Sequence, residues 1–143
     1  LSPPGLAQIM GEAAVDLPDS YFDAPKKEYQ RRRDLLVSRL NAMNGVFCPN
    51  PGGAFYAIAK LPIDDSDKFC QWLLEEFSYN NQTVMLAPAT GFYGTAGLGK
   101  NEVRLAYVLN LDAINAAMDC LEKALDQYPG RVFVKEETAV LSK

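Results

Sequence analysis

The sequence predicts a mixed α/β (α+β) domain: a small mixed β-sheet of about three strands with helices packed on one face. Three observations lead there. The chain has 143 residues, enough for one domain with a real core and too few for a second full one. Apolar residues recur at helical spacing in some windows and in short strand-like runs in others. The resulting order is helix, strand, helix, strand, strand, helix, for which a sheet with helices on one face is the cheapest arrangement.

The opening, residues 1–25, is punctuated by Pro3, Pro4, Gly5, Pro18 and Pro25. Its one helical stretch, about Leu6 to Val15, is therefore bounded on both sides, and the segment reads as a connection leading into a domain. A long helix is expected from Lys26 to Met43, where Tyr29, Leu36, Leu40 and Met43 share a face. Asn44-Gly45 ends it in the usual C-terminal manner. After the turn-forming Cys48-Pro-Asn-Pro-Gly-Gly53, residues 54–59 form a first strand.

Asp64, Asp65 and Ser66 can cap the next helix, over residues 64–78, whose Phe69, Trp72, Leu73 and Phe77 form a core stripe. That helix makes the link between the first two strands a crossover. Thr83 to Ala87 is the second strand, Pro88 to Lys100 a glycine-rich loop, and Glu102 to Val108 the third strand. Asn110 sits at an N-cap position, and Ile114, Ala117, Met118, Leu121 and Leu125 form the buried face of a last helix that stops at Tyr128-Pro129-Gly130. The domain proper is placed at 26–128, with a tail over 129–143.

Composition narrows the chemistry. The formal net charge is −4, and the one basic run, Arg31 to Arg33, is flanked by Glu28 and Asp34, so no concentrated surface for nucleic acid is expected. No run approaches the ~20 apolar residues that span a bilayer, and no leader pattern opens the chain, which together predict a soluble, cytoplasmic protein. Cys48, Cys70 and Cys120 are widely spaced and odd in number, as expected of reduced thiols. There is no histidine, which removes the commonest general base and metal ligand, and no metal site is expected.

The spacing of Gly91, Gly94, Gly97 and Gly99 fits neither a dinucleotide fingerprint nor a P-loop, and the loop leads into a strand, so it reads as a hinge-like loop near a site. Arg104 is the foremost candidate site residue. Strand alternation places it with Ala106 and Val108, opposite Val103, Leu105 and Tyr107. A guanidinium in an apolar strand suits a bidentate grip on a carboxylate; the alternative is an edge-strand arginine facing solvent or a structural acid such as Glu102. Tyr56, beside Gly52 and Gly53, could offer a hydroxyl to a ligand or simply pack.

Taken together, Pro51-Gly-Gly-Ala-Phe-Tyr56, the run Val84-Met-Leu-Ala-Pro88 with Gly91-Phe-Tyr-Gly94, and Glu102-Val-Arg-Leu-Ala-Tyr107 resemble the C-terminal small domain of class I/II aminotransferases, the aspartate-aminotransferase-like members of fold type I. Leu1-Ser-Pro-Pro-Gly-Leu-Ala-Gln8 is similar to a segment those enzymes carry shortly after their catalytic lysine. The resemblance implies that Arg104 pairs with the substrate α-carboxylate and that Gly52, Gly53 and Tyr56 neighbour the cleft. It implies that Ser2 to Gly5 approaches the other subunit of a homodimer. It also implies amino acid and 2-oxo acid substrates and pyridoxal 5'-phosphate as cofactor, with no catalytic or cofactor-binding residue in this chain. The Schiff-base lysine, the aspartate at the pyridine nitrogen and the phosphate-binding residues have no match here and would lie upstream in a missing N-terminal large domain, so that this fragment alone would be inactive. Pro88-Ala89 stands where the family usually has Pro-Gly. The competing expectation is a free-standing amino-acid-binding regulatory domain without chemistry.

Overall fold

The computed structural model describes residues 2–132. Four α-helices and three strands appear in the order α1 (Gly5–Val15), α2 (Ser20–Asn41), β1 (Tyr56–Lys60), α3 (Ser66–Glu75), β2 (Ala87–Pro88), β3 (Glu102–Ala106) and α4 (Leu111–Gln127). A short 3₁₀ turn, Thr90–Phe92, lies between β2 and β3.

The expected fold class is what the chain adopts, with a more specific pairing. The sheet order is β1-β3-β2, and both outer strands are antiparallel to β3. The sheet is therefore antiparallel throughout and not mixed, because the two strands that share a direction, β1 and β2, are separated by β3. They are joined through α3, as the crossover expectation required. Alternation divides the sheet cleanly: Ala57, Ala59, Val103 and Leu105 are buried, whereas Tyr56, Lys60, Arg104 and Ala106 lie on the other face. Helices α2, α3 and α4 cover the buried side, where Leu36 and Leu40 of α2, Phe69 and Leu73 of α3, and Ile114, Met118 and Leu121 of α4 join the strands in one core.

Local chemistry explains where the helices begin. The Asp65 carboxylate accepts from the backbone N–H groups of Asp67 and Lys68 at 3.0 and 3.1 Å, and the Asn110 side chain accepts from Ala113 N at 2.8 Å. Each satisfies donors that a helix start leaves unpaired. Arg39 ties α2 to α4 through Asn115 at 2.9 Å and Asp119 at 2.5 Å.

Two further expectations need correction. The long helix begins at Ser20, not Lys26, and Pro25 lies inside it. Pro25 is past the first turn, so it gives up the bond an N–H there would have made to the Tyr21 carbonyl, a loss that the long helix continuing after it tolerates. The helix thus runs across residue 26, where the domain was expected to start. The second strand is not Thr83–Ala87 but the two residues Ala87–Pro88. Met85 is 81% exposed, and Pro88 has no N–H to extend the ladder, so the apolar run before it packs as irregular edge. The first part of the tail, for its part, is anchored: Asp64 N donates to Gly130 O at 3.0 Å and Val132 N to Pro62 O at 2.9 Å. Residues 133–143 of the expected tail lie outside the described residues.

Among the described residues no helix is long and apolar enough to cross a membrane. All three cysteines are buried and free.

Candidate functional site

The open face of the sheet is built around Arg104. It lies on the central strand opposite Ile58 of β1 and Ala87 of β2, so it is not an edge residue. Its guanidinium carbon sits over the Tyr56 ring at 4.4 Å and over the Phe92 ring at 4.7 Å. One ring comes from β1 and the other from the loop after β2, on the two sides of β3. Among the described residues no carboxylate or carbonyl makes an ion pair or side-chain hydrogen bond with Arg104. Glu102 is engaged elsewhere, since its carboxylate accepts from the Tyr93 hydroxyl. That bond pushes the Tyr93 hydroxyl above its ordinary pKa, because ionising it would place a second negative charge beside the first.

The loop that carries Phe92 is held at several points. Thr90 Oγ1 donates to Asp67 Oδ2 at 2.7 Å, and Ser66 Oγ, fully buried, donates to Gly99 O at 3.1 Å. Gly99 has φ +75, and a Cβ there would lie 2.8 Å from the carbonyl carbon and oxygen of Ala89. Only glycine accommodates both the left-handed backbone and the close approach.

Of the residues singled out in the sequence, Tyr56 joins Arg104, whereas Gly52 and Gly53 do not touch it. They line a separate hollow of about 310 Å³ together with Lys26, Tyr29, Arg33 and Tyr107. The Tyr107 hydroxyl donates to the carbonyls of Gly53 at 3.1 Å and Ala54 at 3.0 Å, which fixes that turn from below. A chain of rings, Tyr29 to Phe55 at 6.4 Å and Phe55 to Tyr56 at 4.5 Å, connects the hollow to the Arg104 face. Phe92 was not anticipated. Gly91-Phe-Tyr-Gly94 stood out only as part of a glycine-rich loop, and which strand that loop would flank follows from the sheet order, which no local pattern encodes.

The lysines among the described residues, Lys26, Lys27, Lys60, Lys68, Lys100 and Lys123, are all exposed. The open face therefore offers a cation and two aromatic rings, an arrangement suited to holding an anion, with no buried amine beside it to act as a nucleophile.

The aspartate aminotransferase of Pyrococcus horikoshii is 34% identical over 123 residues, which are 83% of this chain and 29% of that protein. The chain is homologous to aminotransferases. Solved structures agree: the alanine aminotransferase of Pyrococcus furiosus matches 90% of this chain with a TM-score of 0.74 at 26% identity. The aspartate aminotransferase of Thermotoga maritima matches 85% with a TM-score of 0.68 at 31% identity. This chain covers 31% and 28% of those two structures, so it spans less than a third of the aminotransferases it matches. No family model matches the sequence.

Proposed function

We propose that this chain is the C-terminal part of a pyridoxal-phosphate-dependent aminotransferase, in which Arg104 holds the α-carboxylate shared by the amino acid and 2-oxo acid substrates. The observation that carries the reading is the half-buried Arg104 guanidinium, ringed by Tyr56 and Phe92 and without an anionic partner among the described residues. A charge so placed has five N–H donors to satisfy, and a carboxylate meets two of them at once in bidentate geometry.

Pyridoxal phosphate, when bound, supplies the electron sink for amino-group transfer. The residues described here do not fit as its site, since the attaching lysine must be desolvated or otherwise tuned and all six lysines are exposed. Chemistry on the cofactor therefore falls to the remainder of the enzyme in this reading. This chain binds and orients: Arg104 fixes one end of the substrate, the open sheet face meets the other half of the site, and closure of the domain over the substrate excludes water.

The test is steady-state kinetics of Arg104→Leu in the full-length protein with two chemically different amino acids. Loss of a charge-assisted bidentate contact costs about 2 to 5 kcal/mol, a fall in kcat/KM of roughly 30-fold to several thousand-fold for both substrates alike. Arg104→Lys should recover part, keeping the charge but losing the planar fork. Unchanged efficiency with both substrates overturns the assignment, and a loss confined to one makes Arg104 a reader of the side chain instead.

A further inference from the structure

Resting on the carboxylate reading of Arg104, we propose that Phe92 and Tyr56 are positioning residues for it: the two rings hold the guanidinium in place before substrate arrives, and the tethered loop exists to deliver Phe92 to that position.

The argument begins with what an unpartnered arginine does. Its long side chain has many rotamers, and a carboxylate that had to collect it from many orientations would bind more weakly by the cost of ordering it. Arg104 makes no side-chain hydrogen bond or ion pair among the described residues, yet two aromatic faces lie within 4.4 and 4.7 Å of its guanidinium carbon. Attraction to the ring faces orders the group without needing a single carboxylate or carbonyl acceptor. The N–H fork stays available to the ligand.

Phe92 has little other reason to be where it is. It is 54% exposed and belongs to no part of the buried core, so hydrophobic burial does not hold it. The backbone around it is fixed instead from both sides. Thr90 is bonded to Asp67, Tyr93 to Glu102, and Phe92 N donates to Ala89 O at 3.0 Å. Ala89 is itself buried, and its N–H donates to Glu102 O at 3.0 Å. A loop residue flanked by two side-chain tethers and turned onto a cation is arranged for that contact. Tyr56 is braced in turn by Phe55, with ring centroids 4.5 Å apart.

The test uses the full-length protein and two unreactive carboxylates of different shape, succinate and 3-phenylpropionate, as inhibitors alongside ordinary kinetics. Phe92→Leu should raise KM for the amino acid and the inhibition constant of whichever carboxylates bind by a common factor, roughly 3-fold to 30-fold, the range of a partly desolvated cation–π contact. The kcat should be nearly kept, because the same contact serves substrate and transition state. Phe92→Tyr should restore the parent values, and Tyr56→Leu should repeat the effect from the other side of the strand. In an Arg104→Leu background Phe92→Leu should add nothing, since its target is gone. A folded Phe92→Leu protein with unchanged constants overturns the inference, as does an undiminished Phe92→Leu effect in the Arg104→Leu background. If Arg104→Leu itself leaves carboxylate inhibition and KM intact, the carboxylate reading fails first, and that result is recognisable without any Phe92 variant.

Discussion

Replacing Gly99 with alanine should destabilise this chain far more than the same change at Gly97, two residues earlier in the same loop. Both glycines have positive φ, +90 at Gly97 and +75 at Gly99, but a Cβ at Gly97 would meet nothing within 4 Å. At Gly99 it would meet the Ala89 carbonyl carbon and oxygen and the Tyr93 ring, each at 2.8 Å. The Tyr93 side chain can yield at the cost of its bond to Glu102. The Ala89 backbone cannot, because Ala89 is buried and its N–H is bonded to Glu102. The left-handed backbone costs an alanine about 1 to 2 kcal/mol at either site, and forcing a methyl against fixed backbone costs about 1 to 3 kcal/mol more. Gly99→Ala should therefore lose about 2 to 5 kcal/mol and Gly97→Ala about 1 to 2. At roughly 3 to 4 °C per kcal/mol for a domain near this length, the drops in Tm are about 6 to 20 °C and about 3 to 8 °C. Thermal unfolding followed by circular dichroism reads both, and a cooperative transition is expected because the described residues enclose a core of their own. Equal melting temperatures for the two variants would refute the reasoning, since they would show that the Ala89 contact yields freely.

Three further outcomes are expected. The Cys70 thiol is pushed up to about 11 by burial and by Asp67 beside it; a group whose folded pKa is raised favours the native state below its ordinary value near 9 and loses that contribution as pH rises towards 11. Stability measured by urea unfolding should therefore fall across that window, and Cys70→Ala should flatten the fall; an unchanged slope in the variant would assign it to other groups. The chain by itself should retain no pyridoxal phosphate through dialysis, and a persistent protein-bound absorbance band abolished by changing one lysine would contradict the view that none of the exposed lysines is tuned for it. Helix α1 has no buried residue and at 11 residues is shorter than isolated helices that persist in water, so its amides in this chain alone should exchange within seconds, whereas strong protection there would reveal a partner surface.

What the sequence discloses depends on how local the determining physics is. Phe69, Trp72 and Leu73 of α3 and the caps at Asp65 and Asn110 are set within a few residues, and the structure places them as the pattern indicates, while Phe77 is buried just past the helix, which ends at Glu75. The alternation of β3 is equally local: Val103 and Leu105 are buried while Arg104 faces the other way. Pro25 misleads because a proline reads as a boundary unless the helix start just before it is recognised, and Ser20 to Ala24 carries no apolar stripe to show it. The Thr83–Ala87 run misleads because its composition suits a strand but its partner does not exist: β3 pairs only with Ala87 and Pro88 on that side. Phe92 over Arg104 is the product of sheet order and loop path together. Neither can be read from spacing along the chain.

The one-sided sheet itself bears on function. A three-stranded sheet covered by helices on a single face leaves the other to water or to a second body, and here that face is not the uniformly polar surface an isolated domain would favour. It holds Tyr56 at 41% exposure, Phe92 at 54% and, between them, one cation on the central strand. Exposed aromatics around a charged residue are costly ornament for a free-standing domain, and they accord with the proposed reading, in which this face is one wall of a larger site. The same division keeps the core apart from the open face. The core that orders the strands is sealed on the helical side by Leu36, Leu40, Phe69, Ile114 and Leu121, so closing or opening the other face need not disturb a single buried contact. In the proposed reading, a domain that closes over a substrate gains from keeping the residues that fold it and Arg104 on opposite faces of one sheet.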